Sequence, residues 1–342
     1  MSTIYDVARH AGVSIATVSK VLTGRRYVSE ETRQKVLEVV KELQYKPNFL
    51  ARGLASDRTN LVGLVLSFDP HDLFADPNLL QLIYGVEVAL NQHDYALLLS
   101  TANSPGDPMS SFRHLLGSFR TDGVIIETGL GDIGIDLLLA QGFACVVTGY
   151  TSLPVPFVHP DDYGGARQMT DHLLSLGHRR IGVITGPAVP ASQARLQAYR
   201  DALTQAGICL DEDLVAAGTY RTDSGYAGAR QLMSLPEPPS AIFAFNDRMA
   251  LGALQWLREK GCRVPQDVSL AGFDDIPLAS QCNPTLTTVR QNAAEIGMKA
   301  AELLFRILAG EAVESQEMVL PVSLTLRESC APRTETRPKK EA

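Results

Sequence analysis

From Leu61 onward, short apolar runs alternate with amphipathic stretches, and this alternation restricts the fold more than any other feature of the 342-residue chain. Four strands are expected at Leu61–Leu66, Ala96–Ser100, Gly123–Ile126 and Cys145–Val147. A second series follows at Ile181–Thr185, Val215–Gly218, Ala241–Phe245 and Ser269–Phe273. Helical periodicity fills the gaps, as in Leu79–Asn91, Ala166–Leu176, Gln193–Ala206, Arg248–Lys260 and Ala293–Ala309. Apolar strands separated by amphipathic helices imply parallel sheets covered by helices, because parallel neighbours need a crossover. Two such series imply two lobes. In sheets of this kind ligands sit beyond the carboxyl ends of the strands, so the expected pocket is a cleft between the lobes.

The first 46 residues carry a different pattern, helical throughout. Thr3 can cap a helix from Ile4, with Asp6 in the capping-box position, and Val7, Ala8 and Ala11 give it an apolar stripe. Gly12-Val13 breaks the helix, and Ser14 caps a second one, Ile15–Leu22. After the loop Thr23–Arg26, Ser29 caps a third helix reaching about Leu43, with Val36, Leu37, Val40 and Leu43 as its buried face. Two short helices around a glycine turn with a third behind them form helix-turn-helix geometry, though small helical bundles share the pattern. Pro47 ends this unit. Asn48 can cap a segment Phe49–Ala55, too short to be a stable helix alone, so residues 47–59 read as a conditionally ordered hinge.

Charge is divided between these parts. Residues 1–58 hold ten Lys/Arg and six Asp/Glu, a balance of +4, so the remainder carries −11 of the total −7. A basic head on an acidic body suits a phosphate-binding module attached to something that stays off nucleic acid. Five scattered cysteines with no C-x-x-C pair argue against a disulfide framework or zinc site and fit a reducing cytoplasm. No apolar run is long enough to cross a membrane, and no metal-ligand, P-loop or nucleophile-elbow spacing is found. Gly129-Leu130-Gly131-Asp132-Ile133-Gly134 satisfies G-x-G-x-x-G, but Thr148 and Gly149 stand where a dinucleotide site needs an acidic residue. No cofactor, metal or catalytic chemistry is therefore expected. His178 in LGHRRI reads as a helix-terminal residue.

The segment IYDVARHAGVSIATVSKVL closely resembles the opening of the LacI (lactose-repressor-type) family of transcriptional regulators. The likeness continues through YVSEETRQKVLEVVKELQYKPN and ARGLAS to LGHRRIGVITGP, FNDRMALGAL, GFDDIPL, PTLTTVRQ and LPVSLTLRES. It implies an all-α helix-turn-helix head, residues 1–46, a hinge, 47–59, and an α/β two-lobed periplasmic-binding-protein-like sensor with parallel sheets, 60–330. Its lobes would comprise about 60–158 with 290–317, and 159–289 with 318–330, ahead of a disordered tail, 331–342. The resemblance also implies a homodimer on a pseudo-palindromic double-stranded operator, released or retained by a small-molecule effector.

Ile15, Ala16 and Lys20 lie on the helix that enters the major groove in such motifs. Lys20 can donate to guanine, and Ile15 and Ala16 offer apolar contact, although Ile15 can equally be core. Tyr5, Ser14, Thr17, Ser19, Ser29 and Thr32 place hydroxyls near helix starts, where they serve phosphate binding or simple capping. Tyr45, Asn48 and Ala51 match family positions at the backbone and hinge. The resemblance makes Leu54 a wedge between base steps of the minor groove, against the alternative that it packs on the sensor.

In the sensor, Arg195, Tyr220, Asn246 and Asp274 fall after strands or at strand ends, and Gln291 falls near the inter-lobe crossover. Arginine and amide donors with a carboxylate acceptor and a ring face make sugar-recognition chemistry. Arg195 is expected to begin a helix, and Asp247 and Asp275 to cap helices. Two departures from the family pattern stand out: Gly149 where many relatives are acidic, and the loop SFDPHDLFADPNLL, which puts Asn78 and Leu79 where aromatics often lie. A sugar or sugar derivative is the expected effector, with nucleosides and other metabolites as alternatives. A periplasmic-type binding protein would leave residues 1–58 without a purpose, and an NAD-dependent enzyme would need the Gly129 loop to be occupied by cofactor.

Overall fold

The computed structural model describes residues 2–22, 28–45, 58–66, 73–101, 109, 112, 121–127, 134–313 and 316–333. The chain divides into two compact units, residues 1–60 and 61–342.

Among its described residues the first unit contains three helices, Ile4–Ala11, Ile15–Leu22 and Glu30–Glu42. Each start is chemically specified. The Asp6 amide donates to Thr3 Oγ1 and the Thr3 amide to Asp6 Oδ2, closing the capping box. The Thr17 amide donates to Ser14 Oγ, and the Thr32 amide to Ser29 Oγ. Gly12, at φ 63°, ends the first helix in the left-handed conformation. Val7, Ala8, Ala11, Val18, Val21, Val36 and Val39 form the core. Leu37 differs from expectation. It is 47% exposed, and Val39 takes the buried place, because the face through Val36, Val39 and Val40 turns residue 37 outward.

The second unit holds two six-stranded sheets. The first runs Glu317–Leu320, Phe157–Pro160, Ala144–Thr148, Gly123–Glu127, Leu61–Leu66, Ala96–Thr101, with every pair parallel. The second runs Ser323–Thr325, Thr287–Arg290, Ser269–Asp274, Ala241–Ala244, Ile181–Ile184, Val215–Ala216, parallel except for the antiparallel pair at its first edge. All eight expected strands are present. The four strands not expected, 157–160, 287–290, 317–320 and 323–325, are short and lie where the chain passes from one sheet to the other. Two further helices are Ile135–Ala140 and Thr222–Met233. The chain thus passes between the sheets after Pro160, after Arg290 and after Leu320.

Separate apolar clusters cover the sheets of the two lobes. Helices Pro77–Gln92 and Ala293–Leu308 approach so closely that a Cβ on Gly85 would lie 1.9 Å from the Ala294 carbonyl oxygen. This contact fixes the wall of the cleft described next. His178 closes helix Asp162–Ser175 as expected, its amide donating to the Leu173 carbonyl at 3.2 Å, and it is also a buried hub whose ring bonds to Ser240, Ser269 and the Ala331 carbonyl. Burial lowers its pKa. No described helix is long and apolar enough to cross a membrane.

Candidate nucleic-acid interface and effector cleft

In the helical unit, Tyr5, Ser14, Ile15, Ala16, Lys20 and Ser29 are exposed, and Thr17, Ser19, Thr32 and Tyr45 are half-buried. Ile15, at 39% exposure, is not a core residue, and Val18 and Val21 carry the buried face of its helix. Ser14 and Ser29 already serve as caps, and each also shares a hydrogen bond with the hydroxyl of Thr17 or Thr32. Asn48, Ala51 and Leu54 lie outside the described residues.

The larger unit has a cavity of about 380 Å³ between strand ends of the second sheet and the starts of helices Pro77–Gln92 and Ala293–Leu308. Asn78, Asp274 and Gln291 line it, together with Gln81, Asp275, Arg290 and Asn292. Gln291 Nε2 donates to Asp274 Oδ1 at 2.5 Å. Burial raises the Asp274 carboxyl well above the ordinary carboxylate range, with the nearby Asp247 adding to the effect. Burial likewise pushes Asp247 up to about 7, although Thr288 Oγ1 and the Ile276 amide donate to it at 2.6 and 2.9 Å.

Arg195, Tyr220 and Asn246 are not among the residues lining this cavity. They belong to an adjoining buried network. Arg195 lies in the second turn of helix Pro190–Gln205, which starts at its proline rather than at Arg195. Its Nε donates to Asp162 Oδ1 at 2.7 Å, Nη1 donates to the Phe245 carbonyl, and its guanidinium lies 3.5 Å from the Phe273 ring centroid. Tyr150 donates to the other oxygen of Asp162 at 3.0 Å, which ties the first lobe to the second. Burial and the Asp162 charge both raise the Tyr150 hydroxyl. Asn246 is a backbone organiser: its Oδ1 caps helix Asp247–Glu259, and its Nδ2 donates to the carbonyl of Tyr220, whose φ is 65°. The buried Tyr220 hydroxyl makes no hydrogen bond of ordinary geometry among the described residues.

The capping roles expected for Asp247 and Asp275 are not observed. Asp247 ties the Ile276 amide to Thr288. Asp275 receives Arg290 and Arg327, each at 2.6 Å. Four further residues escaped the sequence reading: Asp162, Tyr150, Asp76 and Arg248. Asp76 caps helix Pro77–Gln92 and pairs across the lobes with Arg248 at 3.0 Å. The Asp76-Pro77 step is a legible N-terminal signal, but the pairing depends on tertiary placement.

Comparison with known proteins agrees with this division. Residues 3–48 match the model for "Bacterial regulatory proteins, lacI family", and residues 170–330 match that for "Periplasmic binding protein-like domain". The chain is 39% identical over 333 residues to the HTH-type transcriptional regulator CelR of Thermobifida fusca, covering 96% of this chain and 98% of that protein. A solved complex of CelR with cellobiose is 38% identical, with a TM-score of 0.75, covering 96% of this chain and all of the other. A lac repressor dimer bound to operator and the anti-inducer ONPF is 29% identical, with a TM-score of 0.85, covering 96% and 99%.

Proposed function

The chain belongs to the lacI family of bacterial regulatory proteins, and from that premise we propose that it represses transcription as a homodimer whose grip on DNA is released by a sugar. It is a DNA-binding transcriptional regulator and not an enzyme, and a small-molecule effector controls its operator affinity. The head, residues 1–46, reads a pseudo-palindromic operator, one half-site per subunit. Ile15, Ala16 and Lys20 face base edges, and Tyr5, Ser14, Thr17, Ser19, Ser29, Thr32 and Tyr45 hold the phosphate backbone. Residues 47–59 form the hinge, where Asn48 and Ala51 approach the DNA and Leu54 wedges into the minor groove.

Residues 60–330 form the sensor, with the effector in the cleft between its lobes. The observation that carries this reading is the cavity of about 380 Å³, which presents Asn78, Asp274 and Gln291 together at the lobe crossover. Amides and a carboxylate around a cavity this size suit the hydroxyls of a mono- or disaccharide. Arg195, Tyr220 and Asn246 complete the site when the lobes rearrange. Ligand then biases the separation of the paired hinges and hence their order. The protein acts in the cytoplasm, where operator and sugar meet.

The test selects an operator from random DNA with the full-length protein and measures its binding with and without cellobiose and other sugars. Weaker operator binding in the presence of a sugar supports the proposal. Tighter binding reverses the sign of control, and loss of DNA binding must follow deletion of residues 1–58.

A further inference from the structure

We propose that the cleft accepts an uncharged polyhydroxylated effector and excludes phosphorylated and carboxylated sugars. The inference rests on the sugar reading above and narrows it by charge. Among the described residues, each arginine around the cleft is already paired with a carboxylate. Arg195 pairs with Asp162 at 2.6 Å, Arg248 with Asp76 at 3.0 Å, and Arg290 and Arg327 share Asp275 at 2.6 Å each. Two further carboxyls, Asp247 and Asp274, form no direct ion pair with an arginine among the described residues and are held by Thr288, the Ile276 amide and Gln291. Carboxyl groups therefore outnumber guanidiniums.

A phosphate or carboxylate entering here competes with an aspartate for every one of these arginines. The cost is highest at the buried pairs, where Arg195 and Asp162 expose 6% and 1% of their side chains and Arg248 and Asp76 13% and 16%, and lower at Arg290 on the cavity wall, 58% exposed but still held by Asp275 at 2.6 Å. An entering anion also meets Asp274 on the cavity wall. Sugar hydroxyls face no such obstacle. Asn78, Gln81, Gln291 and Asn292 line the cavity with groups that both donate and accept. Burial leaves Asp274 readily protonated, so its carboxyl can also accept from a hydroxyl or donate to one. A second negative charge beside it would be repelled in its ionised form.

The experiment uses titration calorimetry on the full chain with two matched pairs, cellobiose against cellobionate and glucose against glucose 6-phosphate. The neutral member of a pair binds at least tenfold more tightly than its anionic counterpart. Equal or tighter binding of an anionic member overturns the proposal. A second arm uses Asp76→Asn with glucose 6-phosphate and inorganic phosphate as probes. Asparagine still caps helix Pro77–Gln92 but releases Arg248 from its carboxylate. The variant binds these anions at least tenfold more tightly than the parent, and no gain contradicts the charge-matching argument. If neither neutral sugar binds while the variant gains anion binding, the exclusion of anions stands and the choice of sugar fails.

Discussion

Replacing Asp162 with leucine removes a buried carboxylate and leaves two groups without their acceptor. Arg195, 5% exposed, loses the partner that receives both its Nε and Nη2. Tyr150 loses the oxygen it donates to at 3.0 Å. Stranding one half of a buried ion pair costs about 3–5 kcal/mol, and losing the Tyr150–Asp162 hydrogen bond costs ~1 kcal/mol more. Unfolding entropy near 2.1 cal/mol/K per residue gives roughly 0.6 kcal/mol/K for a sensor of about 280 residues. The apparent Tm of the sensor should therefore fall by about 5–10 °C in differential scanning calorimetry. The double variant Asp162→Leu/Arg195→Met should recover at least half of that loss, because it removes the stranded charge as well. A fall of less than about 2 °C in the single variant, or a double variant less stable than the single, refutes the reasoning.

Three other outcomes follow from the same structure. Gly85→Ala should destabilise the sensor by about 1–3 kcal/mol, read by urea unfolding, because the new methyl meets the Ala294 backbone at 1.9 Å. Asp247 has a raised folded-state pKa of about 7, so its stabilising contribution is full below its unfolded value near 3.8 and is lost as pH rises through 7. Relative to the parent, Asp247→Asn should gain stability as pH is raised across that window, and a pH-independent difference contradicts the assignment. Leu54→Ala should weaken operator binding while leaving sugar binding intact, as measured by fluorescence anisotropy and calorimetry.

The helical unit was legible almost residue by residue because its signals are local: Thr3, Ser14 and Ser29 cap helices that begin at the next residue. Leu37 was misjudged because a helix face is wide and only packing decides its edge. The eight strands expected in the sensor announced themselves as apolar runs. The lobe-crossing strands did not: Phe157–Pro160 and Ser323–Thr325 are short, partly polar, and become strands only by pairing with distant partners. The same divide runs through the site. Asp274 and Asn246 sit at strand ends that hydrophobic pattern alone locates. The Asp162, Tyr150 and Arg195 network joins residues up to 45 positions apart, and neither Asp162 nor Tyr150 has a local signature. Asn246 shows how a residue type expected at a ligand can be occupied by the backbone, through the Met249 amide and the Tyr220 carbonyl.

The most direct test of effector-controlled DNA binding is operator affinity measured across a panel of neutral sugars that includes cellobiose, with parent and Asp274→Asn proteins side by side. At least one sugar should weaken operator binding by the parent by about 5–150-fold, the usual range of allosteric coupling. The variant should bind the operator normally and lose most of that response. Operator affinity unchanged by every sugar, or a full response retained without the Asp274 carboxyl, would contradict the assignment of the cleft as the controlling site.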